Sequence, residues 1–230
     1  MYRRYMLPVV IGLFIIGIAV ISAVAHHQYW LLSLVFVGLA MLPFFMKYEA
    51  KKMQSREVMM MVMLIAIAAV SRVPFAAIPS VLPMTFIIIV SAVVFGAESG
   101  FMIGALSAIV SNIFLGQGPW TPWQMFSWGM IGCFAGLLKD TWWMRTMWGK
   151  VIFSFVVGIL FGWVMNLTSV IATMADISWE AILTLYAASV IFDLLHASSN
   201  VVFMLVFGNA WIRILRRFKK KYGLSLRSGK

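Results

Sequence analysis

The sequence predicts an all-α integral membrane protein, a six-helix bundle preceded by two extra transmembrane helices. Three observations carry that prediction. Of 230 residues, 63% are hydrophobic and 11% charged, with mean hydropathy +0.99. A soluble domain averages about 45–50% apolar and about 25% charged residues, so this chain has too little polar surface to wrap a core in water. Eight apolar runs follow one another, and at ~20 residues per span they occupy ~160 positions, leaving no room for a soluble catalytic domain. Finally, alternating sides from a cytoplasmic N-terminus puts every basic residue except Arg72 on the inner side, as the positive-inside rule requires. The net charge of +11 is explained in this way, as inner flanks facing solvent or lipid, without nucleic acid. One cysteine, Cys133, excludes a disulfide scaffold.

The runs read as 5–25, 29–46, 57–73, 81–95, 101–115, 123–138, 150–174 and 181–212. The first follows Arg3-Arg4 and ends at Ala23-Val24-Ala25, a pattern shared with cleaved signal peptides. Its apolar stretch exceeds the usual ~7–15 residues of such a peptide, and a second span follows at once. Residues 1–50 form a two-helix extension with few polar side chains, ended by a basic stretch from Lys47 to Arg56. The six-span unit is 57–212, and 213–230 is a basic cytoplasmic tail. A single helix over 81–115 competes with a hairpin, but Glu98 between Gly96 and Gly100 favours the hairpin. Merging those two spans would also put Lys139 and the tail opposite Lys47.

Polar side chains inside a bilayer are costly and mark bundle interiors or cavities. The last span carries Tyr186, Ser189, Asp193, His196 and Asn200 within about 80° on one helix face. They line a ligand cavity, or Asp193 and His196 pair only to lock the bundle. The preceding span carries a matching stripe of Gly158, Gly162, Asn166, Ser169 and Thr173. Gly100, Gly104, Ser107 and Ser111 form a small-residue packing seam, with Asn112 beside it as a polar contact.

The loop from Gly116 to Gln124 is the densest motif. Thr121, Pro122 and Gln124 read as a capping box with an N1 proline. Trp120 and Trp123 are either an interfacial aromatic belt or a stacking surface at a cavity mouth. Arg72, the one cation near the outside, either snorkels or attracts an acidic ligand. The sequence has no phosphate-binding loop, no zinc motif and no nucleophile elbow, so no cofactor is expected.

Residues 57–212 resemble the substrate-binding S components of energy-coupling factor (ECF) transporters, cobalamin-type S components most closely. The resemblance lies in Met63–Arg72 with Phe75–Pro79, Gly100–Gly104 with Ser111–Met125, Trp128 with Gly132, and Phe192–His196 with Asn200. It implies a six-helix unit in a bacterial-type cell membrane that binds a vitamin-like molecule from outside. Uptake would then be driven by a membrane coupling subunit and two cytoplasmic ATPases. The implied substrate contacts are Arg72, Asn112, Gln117, Trp120, Trp123, Asn166, Asp193, His196 and Asn200. Docking on the coupling subunit is implied for Ala66, Ala68 and Ala69, although Val70, not alanine, stands four residues after Ala66. Cobalamin, a queuosine precursor and a pantothenate-like acid all suit an aromatic mouth with neutral amides. Two rivals from other classes use Asp193 and His196: a proton-coupled carrier, and an intramembrane enzyme with an acid–base pair.

Overall fold

The structure, a computed structural model, describes residues 29–49, 55–173 and 178–222. The expected first span, its signal-peptide-like end, residues 50–54 of the basic linker and the tail beyond Tyr222 lie outside the described residues.

Among the described residues the secondary structure is helical, in the order α1 (Tyr29–Glu49), α2 (Ser55–Val70), α3 (Pro83–Phe95), α4 (Ala97–Leu115), α5 (Thr121–Leu137), α6 (Trp142–Arg145), α7 (Met147–Thr173) and α8 (Trp179–Lys221). A 3₁₀ turn, Val73–Phe75, follows α2. Among the described residues four segments are long and apolar enough to cross a membrane: Ser55–Phe75, Ala97–Leu115, Met147–Ile171 and Trp179–Lys221. Val37–Met46 within α1, and α3, are shorter apolar helices.

Every residue of α3 is buried, as expected of a helix that is apolar all round. It packs against α4, α5 and α8 and forms the centre of the bundle. Pro83 opens it, where a missing N–H costs nothing. Gly96 closes it with φ +92°, a backbone conformation that L side chains rarely adopt. That one residue makes 81–115 a hairpin instead of a continuous helix. Gly116, at φ +103°, ends α4 in the same way.

Helices α4 and α5 are in backbone contact. A Cβ built on Gly104 would lie 2.2 Å from the Trp128 carbonyl oxygen, and one on Gly136 2.3 Å from the Ala97 nitrogen. Gly100, Gly104, Ser107 and Ser111 are all buried, as the small-residue packing seam requires. Helices α7 and α8 repeat the device, with Gly158 against the Ala197 backbone.

Helix α1 is docked on the bundle. Phe44 stacks on Phe101 of α4 at 4.1 Å between centroids, Phe45 meets the same ring edge-on, and the Tyr48 hydroxyl bonds to the Met61 sulfur of α2. Helix α8 has 43 residues, roughly 65 Å at 1.5 Å per residue, so it is about twice as long as a hydrocarbon core is thick. It runs unbroken past residue 212, where the apolar run ends, to Lys221.

Candidate functional site

Helix α2 ends at Val70, and the turn that follows aims Arg72 across the bundle end that carries the Gly116–Trp120 loop. The Arg72 Nη1 donates to Ser111 Oγ at 2.5 Å and to Asn112 Oδ1 at 3.1 Å, both on α4. Its guanidinium carbon lies 5.0 Å from the centroid of the Trp128 ring, a cation–π arrangement. The Arg72 Nε is buried without a partner. Neutral groups and a ring face therefore hold a cation that still has donor capacity to spare.

Trp128 passes the chain of contacts deeper. Its Nε1 donates to Thr85 Oγ1 at 3.0 Å, and the same oxygen lies 3.0 Å from His196 Nε2. Phe161 closes this layer, 4.4 Å from the Trp128 ring and edge-on to His196 at 5.1 Å. Helices α3, α5, α7 and α8 thus meet around one polar line.

Asn112 is the hub on the loop side. Its Nδ2 donates to Thr121 Oγ1 at 3.1 Å and Gln124 Oε1 at 2.7 Å. Thr121 donates in turn to Gln117 Oε1 at 3.0 Å and accepts from the Gly118 N–H. Gln117 Nε2 donates to the Ile109 carbonyl at 3.0 Å. The capping box read from the sequence does not form: Trp120 occupies the N-cap position, and no side chain caps α5. Thr121 and Gln124 have the right spacing, but Asn112 competes for their oxygens and wins.

The two tryptophans part company. Trp120 is 44% exposed, whereas Trp123 is 9% exposed and belongs to the core. Only Trp120 offers a surface, and its indole lies over Gly118.

The polar stripe of α8 is divided among several partners. His196 goes to Thr85. Asp193 Oδ2 accepts from Ser189, and Ser189 accepts from Asn166 Nδ2 at 2.5 Å. The Asp193 carboxylate rests against Gly162, where a Cβ would lie 1.9 Å from Oδ1. Tyr186 donates to the Trp163 carbonyl at 2.9 Å, and Asn200 reaches the Ser154 carbonyl at 3.5 Å. Asp193 and His196 are not hydrogen-bonded to each other, which removes the lock weighed for that pair. The buried oxygens Asn200 Oδ1, Ser154 Oγ and Ser91 Oγ lack partners.

Of the three alanines, Ala68 and Ala69 are fully buried and Ala66 is exposed, beside Val62, Met63, Ile67 and Val70. Sequence reasoning gave no site role to Ser111, Thr85 or Gln124 as contacts of this network. Thr85 carried one signal: apart from Ser91 it is the only hydroxyl in an otherwise apolar helix.

Comparison with curated proteins and with solved structures returned no match. A family profile described as "ECF transporter, substrate-specific component" matches residues 56–214, which covers α2 to α8 up to its basic end. The helical fold, the four apolar segments and that match agree, and the chain belongs to the substrate-specific components of ECF transporters.

Proposed function

We propose that this membrane protein captures a vitamin-like micronutrient from outside the cell and passes it inward in company with a membrane coupling subunit and two cytoplasmic ATPases. The topology proposed is eight spans with both ends inside, because alternation then gathers all basic residues but Arg72 on the inner side. The substrate enters at the end carrying Arg72, Gln117 and Trp120. The observation that carries this reading is Arg72: a cation held by Ser111, Asn112 and Trp128, with a buried Nε that the protein leaves unpartnered. Such a group is completed by an acceptor oxygen of a ligand. Trp120 adds an aromatic surface nearby, and Asn166, Asp193, His196 and Asn200 extend the polar lining inward.

A ligand rich in amide groups, of the cobalamin type, suits the aromatic mouth and neutral amides. A smaller carboxylate-bearing vitamin of the pantothenate kind is the second reading, favoured by Arg72 itself. The enzyme reading loses ground because Asp193 and His196 have separate partners. Equilibrium binding of radiolabelled cobalamin and pantothenate to the purified protein tests the reading. Loss of one charged hydrogen bond in Arg72→Gln should weaken the bound vitamin about tenfold or more. Binding of neither vitamin, or affinity untouched by Arg72→Gln, counts against it. Uptake by the chain alone, driven by a proton gradient in ATP-free vesicles, would favour a carrier.

A further inference from the structure

At the end of the bundle opposite Arg72, helices α6, α7 and α8 line an open cavity of about 530 Å³. Six cations line it: Arg145, Lys150, Arg213, Arg216, Arg217 and Lys220. Among the described residues no carboxylate does. The four from α8, with Asn209 and Ile212, follow a spacing of three and four residues, so one helix face supplies an entire wall. Arg145 and Lys150 supply the facing wall. Met144 and Ile212, both buried, form an apolar floor.

Lys150 distinguishes this cavity from an ordinary basic flank. It is 5% exposed, and its Nζ donates to Asn209 Oδ1 at 3.0 Å, a neutral acceptor. A solvated flank spreads its like charges and keeps them in water. Here one cation is withdrawn from water and five more converge on the same concavity, an arrangement that a multiply charged anion stabilises. Arginine forks match phosphate oxygens in pairs, and basic pockets between transmembrane helices suit phosphate headgroups.

We propose that this cavity is a binding site for a phosphate-bearing anion, supplied either by an anionic lipid headgroup or by a free phosphate compound. Arg213, Arg216 and Arg217 grip the phosphate from α8, while Arg145 and Lys150 close on it from the opposite wall. The site is separate from the substrate end and does not depend on which vitamin binds there.

The test uses the full chain. Inorganic pyrophosphate is titrated onto detergent-purified protein, and retention of phosphatidylglycerol against phosphatidylcholine is read by native mass spectrometry from mixed nanodiscs. Two variants remove exposed cations from either wall: Arg213→Gln/Arg217→Gln, and Arg145→Gln. A control, Arg56→Gln/Lys139→Gln, removes two cations that do not line the cavity. The expected result is selective retention of one probe, weakened about tenfold or more by the double cavity variant through loss of charged hydrogen bonds. Arg145→Gln should weaken it in the same direction, and the control should leave it unchanged. Selective phosphatidylglycerol retention identifies the lipid source, and pyrophosphate binding the soluble one. Equal weakening by the control, no retention of either probe, or tighter binding of polyglutamate than of both would overturn the proposal.

Discussion

Gly100 and Gly132 face each other across the α4–α5 contact so closely that a Cβ on Gly132 would lie 2.1 Å from the Gly100 carbonyl oxygen. Backbone, not a flexible side chain, is what such a Cβ would meet. Gly132→Val should therefore push the helices apart and cost ~1–3 kcal/mol or more, the range for overpacked cores. Gly38 of α1 has nothing within 4 Å of a built Cβ, so Gly38→Ala should be neutral or stabilise by ~0.5–1 kcal/mol through helix propensity. Melting temperatures of the two variants in detergent check this. Equal effects would mean that the α4–α5 seam is looser than described.

Asn112 holds Arg72, Thr121 and Gln124 together with one side chain. Asn112→Leu removes one partner from each of those groups, although Arg72 keeps Ser111 and Thr121 keeps Gln117 and Gly118; a buried group left unsatisfied costs ~1–3 kcal/mol. The expected outcome is a lower melting temperature together with faster proteolysis in the Gly116–Trp120 loop. Asn112→Asp keeps an acceptor for Arg72 but loses both donations from Nδ2, so it should fall between wild type and Asn112→Leu. A wild-type melting temperature in Asn112→Leu would show that the loop does not depend on this hub.

Asp193 and His196 stand one helical turn apart but hold different neighbours, Ser189 with Gly162 and Thr85 with Phe161. Although neighbours at i and i+3, the two share no hydrogen-bond partner, so His196→Leu, Asp193→Asn and the double variant should show a coupling energy at the low end, about 0.5 kcal/mol, of the range for adjacent residues. A coupling energy well above that would restore the pair as a unit. Binding measured on the same variants separates a cavity role, which lowers affinity with stability kept, from a purely structural one.

Cysteines introduced singly at Ser80 and Gln117 should react with an impermeant thiol reagent added outside cells, and cysteines at Ser55 and Thr146 should not. Ser80 and Gln117 lie toward the Arg72 end, Ser55 opens α2, and Thr146 lies beside the basic cavity. Labelling of both sets from one side would overturn the proposed orientation.

Much of the fold was legible in the sequence because its determinants are local. Hydropathy sets the class, since so few charged groups cannot solvate a chain this size. Gly96 and Gly116 mark helix ends because few other residues adopt their backbone angles without strain. Small residues at every third or fourth position mark the close seam of α4. The family was legible through loop motifs for the same reason.

Periodicity names a helix face but not what that face meets, and there the tertiary structure decided. The α8 stripe looked like one ladder, yet only Ser189 and Asp193 bond within it, while Asn166 of α7 reaches Ser189, Thr85 of α3 takes His196 and Ser154 of α7 takes Asn200. Thr121 and Gln124 have capping-box spacing, but a third side chain, Asn112, arrives from α4 and takes both. Ala68 and Ala69 sit on the buried face of α2, and Ala66 on its exposed one. The basic residues of α8 read as a flank until Arg145 and Lys150, some sixty to seventy positions earlier, are brought opposite them. Each outcome turns on competition between hydrogen-bond or packing partners distant in the chain, which only the assembled bundle brings within reach.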